Sequence, residues 1–308
     1  MLRWNPIFIK EIRQNARMKK TAVMLALYNG CLALFGLFAF YLTFRRTGNT
    51  LQADYGDVLT MYGIITGIEF ILVLCIVPAI TATSIAAERE KQTLDILMTT
   101  PLSRRRIIFG KLASAISIVM LLTISSLPVI SVVFSIGGIT IGDVIAFILL
   151  MLVCSVYAGS IGIMFSCICK KTVTAVVSSY VVLLMLIAGL PLFLFGSEVV
   201  DYLRMYGNYW GLYYGANDIV YQNRVAILLL NPFFTFLAMV NQKFLLGGDF
   251  LAYLDPNQKI TAFIADHWFA LSIGVQAVVS VCMAELASLR LAPAEGTKRK
   301  NRRKERDN

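Results

Sequence analysis

Long apolar runs constrain this chain more than any other feature of its sequence. Four of them, each 24 or 25 residues long and without a charged side chain, cover 21–44, 112–136, 144–168 and 172–196. Two more contain a few titratable residues: 58–87 includes Glu69, and 262–289 includes Asp266, His267 and Glu285. About 20 apolar residues cross the hydrocarbon core of a bilayer. Since 58% of the residues are hydrophobic and only 15% charged, we expect an all-α integral membrane protein with six transmembrane helices in a single domain, 1–308.

The distribution of Lys and Arg predicts the side of the membrane on which each loop lies. Of the 28 basic residues, 22 fall in four segments: before residue 21 and in 88–111, 170–171 and 290–308. The short loop 45–57, on the other side, holds two. Basic residues concentrate on the cytoplasmic side, so both termini are expected in the cytoplasm.

The segment 197–261 is then expected to be extracytoplasmic and partly helical. Its apolar part, 225–240, is short for a span and is interrupted at Asn231-Pro232, where the residue before proline is disfavoured in a helix. We expect a hydrophobic external or re-entrant helix that packs against protein, because irregular backbone cannot face lipid.

Both ends of the chain are basic. Asn5-Pro6 is a good helix start, since asparagine caps helices and proline suits their first turn. Beyond it, apolar and basic residues lie on different faces of a helix: Phe8, Ile12 and Ala16 against Lys10, Arg13, Arg17 and Lys20. Residues 1–20 are therefore predicted to form an interfacial amphipathic helix before a retained first span, a basic flank without helical order being the alternative. The tail 290–308 lacks an aromatic residue to stack on a base, which favours a cytoplasmic anchor near membrane lipids over nucleic-acid binding.

The residue content excludes several kinds of chemistry. A single histidine, His267, leaves little room for a histidine-rich metal site or a serine–histidine pair. All six cysteines lie in or beside apolar runs, so no disulfide framework is expected, and Cys167 with Cys169 is a weak pattern for a metal or a lipid anchor. An intramembrane enzyme is disfavoured because the chain has neither H-E-x-x-H nor G-x-S-x-G. An ATP-independent carrier, the other alternative, often has internal repeats, which we do not find.

The most informative polar stretch is 78–111, PAITATSIAAEREKQTLDILMTTPLSRRRIIFGK. No Gly or Pro separates the second apolar run from Glu88-Arg89-Glu90-Lys91, so the second span is predicted to continue as a helix beyond the membrane. On that helix one face would carry an apolar ridge, Leu94, Leu97 and Met98. Pro101 is expected to end the helix and Ser103 to cap the next one. An apolar ridge with a charged rim is typical of a partner interface.

This stretch resembles the permease subunits of type-2 ATP-binding cassette (ABC) exporters. The residues that carry the resemblance are Pro78, Ala79, Glu88, Arg89, Glu90, Thr93, Leu94, Asp95, Leu97, Thr100, Pro101, Leu102, Ser103, Arg104 and Gly110-Lys111. Asn5-Pro6 with Lys10-Glu11, the six spans and the large external segment before the last span are also similar to that family. The resemblance therefore extends over essentially the whole chain.

The resemblance implies that 88–104 is a cytoplasmic coupling loop seated in a groove of a separate ATPase subunit. It also implies a complex of two ATPase copies with two permeases, the second permease being another copy or a related chain, in a cell membrane. Candidate ATPase contacts carried over to this sequence are Glu88, Arg89, Glu90, Thr93, Leu94, Leu97, Pro101 and Arg104. Leu112 follows Gly110-Lys111 and no G-x-x-x-x-G-K-[ST] phosphate loop is present, so ATP would be bound by the partner. We expect no cofactor, no metal and no catalytic residue in this chain.

A few residues inside the spans stand out. Glu69 lies near the middle of the second span, where a carboxylate is expensive. Two interpretations stay open. Glu69 lies on the translocation path or at a contact between subunits, or it is a packing residue that is protonated or hydrogen-bonded. Glu285 is predicted to pair with Arg290, and Pro128 and Pro191 to bend spans three and five.

Overall fold

The computed structural model describes residues 8–9, 11, 13, 18–46, 55–94, 103–136, 139–193, 196, 226–244, 263–264 and 267–291. Its main helices are α1 (Lys19–Arg46), α2 (Tyr55–Glu90), α3 (Arg104–Ile136), α4 (Ile141–Ile168), α5 (Thr172–Leu184), α6 (Pro232–Phe244) and α7 (Trp268–Arg290). A π-helical turn, Met185–Gly189, extends α5, and a 3₁₀ turn, Ala226–Leu230, precedes α6. No strand occurs among the described residues.

The predicted all-α membrane fold is confirmed. Within the described ranges six helices are long and apolar enough to cross a membrane: α1, α2, α3, α4, α5 with its extension, and α7. α3 begins at Arg104, directly after Ser103, the residue expected to cap it, so residues 104–111 extend the helix ahead of its apolar run. The apolar run starts later than the helix because the arginines that precede it are good helix formers but cannot enter lipid.

Successive membrane-spanning helices run in opposite directions, so the starts of some and the ends of others meet on one side of the bundle. We call this side the basic end, because the segments rich in Lys and Arg adjoin it. It contains the starts of α1, α3 and α5 and the ends of α2, α4 and α7. Contacts between Arg105 and Glu285 and between Glu90 and Thr172 confirm that the helix ends meet there.

The central helix of the bundle is α4. In its most apolar stretch 61% of the residues are buried, against 22% for α1 and 17% for α5, and its largest contact is with α2. Two glycines allow its neighbours to come close: a Cβ at Gly162 would overlap Thr81 Oγ1 of α2, and one at Gly159 would lie 2.9 Å from Leu112 Cδ1 of α3. Small residues serve helix packing in membranes in this way, since they let backbones come close.

At the opposite end, α6 packs on α2, α4 and α7. Its predicted interruption at Asn231-Pro232 is confirmed, and Asn231 caps the helix by accepting a hydrogen bond from the Phe233 N–H at 2.9 Å. The same side chain donates from Nδ2 to the Ile187 carbonyl at 3.0 Å. Pro191 has no N–H to give to the carbonyl four residues before it, which is that of Ile187. Asn231 therefore satisfies the carbonyl that the proline frees, at the point where α5 takes a π-helical turn.

Several predicted features lie wholly or largely outside the described residues. Most of 197–261 and nearly all of the tail 290–308 are among them. Of residues 1–17, the structure describes Phe8, Ile9, Glu11 and Arg13, all helical, so the bounds of the predicted amphipathic helix stay a prediction. The contacts expected for Leu97 and Pro101 also stay predictions, because both residues lie outside the described ranges.

Candidate functional site

The end of α2 is a tight helix-capping turn. Gln92 adopts φ 58°, its N–H donates to the Arg89 carbonyl at 3.1 Å, and the Thr93 N–H donates to the Glu88 carbonyl at 2.9 Å. These two bonds and one left-handed residue define a Schellman motif. The prediction that the second span runs on as one helix beyond Glu90 is therefore wrong, because this capping turn ends α2 at Glu90.

The turn directs Leu94 into the bundle, where the side chain is 1% exposed and packs in a cluster with Ile107, Ile108 and Leu112 of α3. A left-handed conformation costs a non-glycine residue about 1–2 kcal/mol, whereas burying a leucine contributes about 1.5–3 kcal/mol. Burial of Leu94 thus offsets the strain at Gln92. The prediction that Leu94 belongs to an apolar ridge facing a partner is therefore wrong, because its side chain contributes to the core of this chain.

Glu88, the first of the three charged residues that end α2, binds a buried lysine. Lys111 on α3 has a side chain only 5% exposed, and its Nζ lies 2.9 Å from Glu88 Oε1 and 3.1 Å from Glu11 Oε1. It also donates to the Ser84 carbonyl at 3.1 Å. This ion triad joins the N-terminal segment, α2 and α3. The sequence prediction does not include this role of Lys111; the available signal is a lysine that directly precedes an apolar run and so must be paired.

Arg89 extends across to the end of α4. Its Nη1 donates to the Cys169 carbonyl and its Nη2 to the Cys167 carbonyl, both at 2.8 Å. The last carbonyls of a helix lack donors within the helix. The planar fork of the guanidinium can donate to two of them at once, so Arg89 caps α4 from a neighbouring helix.

Glu90 makes the third connection, to the start of α5. Its Oε2 accepts a hydrogen bond from Thr172 Oγ1 and one from the Thr172 N–H at 3.2 Å. A carboxylate at a helix N-terminus interacts favourably with the helix dipole. Three consecutive residues thus join α2 to three different elements.

Three of the candidate ATPase contacts have exposed side chains. Thr93 and Arg104 are exposed, and the Thr93 hydroxyl donates to the Glu88 carbonyl at 3.1 Å. Glu90 is also exposed. These three side chains, unlike Leu94, are accessible to a partner at the basic end. One further ion pair lies nearby: Arg105 Nε is 2.9 Å from Glu285 Oε2, so Glu285 pairs with α3 and not with Arg290 as predicted.

Glu69 is fully buried, far along α2 from the basic end. Its Oε1 accepts a hydrogen bond from Ser126 Oγ at 2.7 Å, and the Tyr28 hydroxyl lies beside the same carboxylate and beside Thr123. Within the part of the chain that the structure describes, Glu69 Oε2, the Tyr28 hydroxyl and Thr123 Oγ1 have no partner at good hydrogen-bond geometry, although the Tyr28 hydroxyl is close enough to interact with both Glu69 and Thr123. α1, α2 and α3 thus enclose a buried polar cluster whose hydrogen bonding is incomplete.

Neither a metal site nor a disulfide is formed by the described residues. No group of three or more His, Cys, Asp or Glu side chains there could hold a metal ion. All six cysteines, including Cys167 and Cys169, are free thiols.

The chain is similar to a known protein family. Residues 5–287 match the model of a family described as ABC-2 family transporter protein. No curated protein sequence matches the chain.

Proposed function

The chain belongs to the ABC-2 transporter family, and from this premise we propose that it is the permease subunit of an ABC exporter. It forms the substrate pathway and is driven by a separate ATPase subunit, which binds ATP. The working complex contains two ATPase copies and two permeases, the second permease being another copy of this chain or a related one.

The proposed orientation places the basic end in the cytoplasm of the cell. It rests on the 22 basic residues in the segments next to that end and on the rule that such residues stay on the cytoplasmic side. Both termini are then cytoplasmic, the segment 197–261 is outside, and the protein is a multi-pass component of the cell membrane.

The observation that carries the proposal is the set of contacts made by Glu88, Arg89 and Glu90. They join the last turn of α2 to α3, α4 and α5, so a force on the loop 91–103 would act on four spans together. An ATPase that moves this loop has a direct mechanical connection to the bundle.

Within this proposal the candidate contacts have two kinds of role. Thr93 and Arg104, which are exposed, touch the ATPase, together with Leu97 and Pro101 of the same loop. Glu88, Arg89 and Glu90 transmit the movement through the bonds described above, and Leu94 holds the loop to the bundle from inside.

Glu69 is the residue that we propose for the translocation path. One oxygen of its carboxylate and the neighbouring Tyr28 and Thr123 hydroxyls belong to a buried polar cluster whose hydrogen bonding is incomplete in the described structure. A rearrangement of α1, α2 and α3 would offer these groups to a polar part of the substrate.

The test is co-purification with a phosphate-loop ATPase, which this proposal expects a neighbouring reading frame to encode. We expect the full chain in mild detergent to retain that ATPase and to hydrolyse no ATP alone. Leu97→Asp should lose the ATPase, because a carboxylate in an apolar groove costs several kcal/mol, whereas Leu97→Met should retain it.

The amount of ATPase per permease and the melting temperature of the permease are measured for each form. ATP hydrolysis by the homogeneous chain alone would contradict the division of labour. Normal retention by Leu97→Asp would reject the coupling role of the loop.

A further inference from the structure

An apolar groove runs along the seam between α1 and α2. It has a volume of about 720 Å³ and is lined almost entirely by apolar atoms. The lining residues are Lys19, Val23, Met24, Leu27, Tyr28, Cys31, Leu72 and Ile76. Only Lys19 among them carries a charge, and it lies at the basic end, where α1 begins.

The length of the groove corresponds to one leaflet of a bilayer. From Lys19 to Cys31 the chain advances along α1 by about 18 Å at 1.5 Å per residue, while half of the hydrocarbon core measures about 15 Å. The groove therefore begins at the depth of lipid headgroups and ends near the middle of the membrane, beside Tyr28.

The charged end of the groove favours an anion. Lys19 is exposed, and the first turn of α1 contains no acidic residue. The N-terminus of this 28-residue helix adds the positive end of its dipole.

From this combination we propose that the groove binds an anionic glycerophospholipid. The phosphate lies at Lys19, and one acyl chain follows the apolar wall between α1 and α2 to Cys31. The leaflet is the cytoplasmic one, a detail that rests on the orientation given under the proposed function; the binding itself does not depend on it.

A lipid suits the groove better than a second copy of this chain. Two permeases in one membrane have the same orientation, so a symmetric contact along this face would bring the basic ends of both α1 helices together. That contact places like charges near each other, whereas a phosphate neutralises Lys19.

The experiment measures lipid retained by the full chain, purified without ATPase, by native mass spectrometry. Phosphatidylglycerol and phosphatidylcholine of the same acyl composition are the probes. We expect about fivefold stronger retention of phosphatidylglycerol, as one lysine near a net negative headgroup provides, because the choline of phosphatidylcholine neutralises its own phosphate. Lys19→Gln should abolish this preference, while Lys170→Gln, which removes an exposed lysine at the same end but outside the groove, should preserve it.

A second pair of variants tests the apolar wall. Leu27→Trp narrows the groove and should weaken retention of both lipids, whereas Leu37→Trp alters an exposed residue of α1 outside it and should not. Equal retention of the two lipids by the wild type, or an unchanged preference in Lys19→Gln, would overturn the proposal.

A cross-linking measurement tests whether a second copy of this chain, and not a lipid, covers the groove. In a Cys75→Ala, Cys282→Ala background, efficient disulfide formation between the Cys31 residues of two copies would show that a second chain covers the groove, and would also overturn the proposal. Because no ATPase is present in these measurements, a failure of the coupling hypothesis leaves their result unchanged.

Discussion

Gly162 and Thr81 meet where α4 and α2 come closest. The Thr81 hydroxyl donates to the Val77 carbonyl at 2.9 Å, which fixes its position, and a Cβ at Gly162 would overlap it. We expect Gly162→Ala to destabilise the permease by about 1–3 kcal/mol, the usual cost of overpacking. Gly274→Ala on α7 is the matched control, because nothing lies within 4 Å of its Cβ, and it should be neutral or slightly stabilising. Melting temperatures in mild detergent compare the two.

The double variant Thr81→Ala, Gly162→Ala locates the cause of that loss. Removing Oγ1 relieves the worst overlap, but the Thr81 Cβ at 3.1 Å and the Ala82 nitrogen at 3.2 Å would still crowd the new methyl group. Partial recovery of the melting temperature is expected. Equal melting temperatures of the two single glycine variants would show that the helices are not packed as described.

A feature of a single residue could be predicted from the sequence when it depends on near neighbours in the chain, and not when it depends on distant ones. The break at Asn231-Pro232 was predictable because proline restricts its own neighbour. The turn at Gln92 was not, since a left-handed residue is usually glycine and here distant packing of Leu94 stabilises it. The pairing of Lys111 with Glu11 and Glu88 joins residues far apart in the sequence, and no local pattern contains that information.

At the scale of elements, Arg89 holds the ends of α2 and α4 together. Arg89→Ala removes two charge-assisted hydrogen bonds and leaves two carbonyls of α4 without their donor, so we expect a loss of about 1.5–3 kcal/mol. Arg89→Lys should recover only part of it, because an ammonium lacks the planar fork. The melting temperature of the permease alone is the measurement.

Arg104→Ala serves as the control for Arg89→Ala and separates coupling from stability. Arg104 is exposed, so its loss should leave the melting temperature unchanged while lowering the amount of ATPase retained. If Arg89→Ala left the melting temperature unchanged, the arginine would not be the cap that joins the two helices.

The positions of the six spans were predictable within a few residues, because the bilayer imposes the length and composition of each. Their arrangement was not. The central place of α4 requires small residues at Gly159 and Gly162, but this requirement is visible only when α3 and α2 are placed against them. Likewise, the resemblance indicated that the loop after α2 matters, but not that Glu88, Arg89 and Glu90 each bind a different element.

For the whole molecule, the orientation in the membrane is the property on which the proposed function depends most. The orientation is predicted from the distribution of basic residues, 22 in four segments against two in 45–57. This distribution describes the loops and chain ends more than the helical bundle.

Single cysteines placed at Asn217, Asp255 and Asn301 test the orientation in intact cells with a membrane-impermeant maleimide. The unsubstituted chain gives the background labelling from the native cysteines. We expect labelling at Asn217 and Asp255 and none at Asn301, because moving the eight basic residues of 290–308 across the membrane is unfavourable. The reverse pattern would invert the topology and place the proposed coupling loop outside, away from any ATP. Labelling at both Asn217 and Asn301 would mean that the chain crosses the membrane once more between them, with α6 and its preceding 3₁₀ turn as the segment that does so.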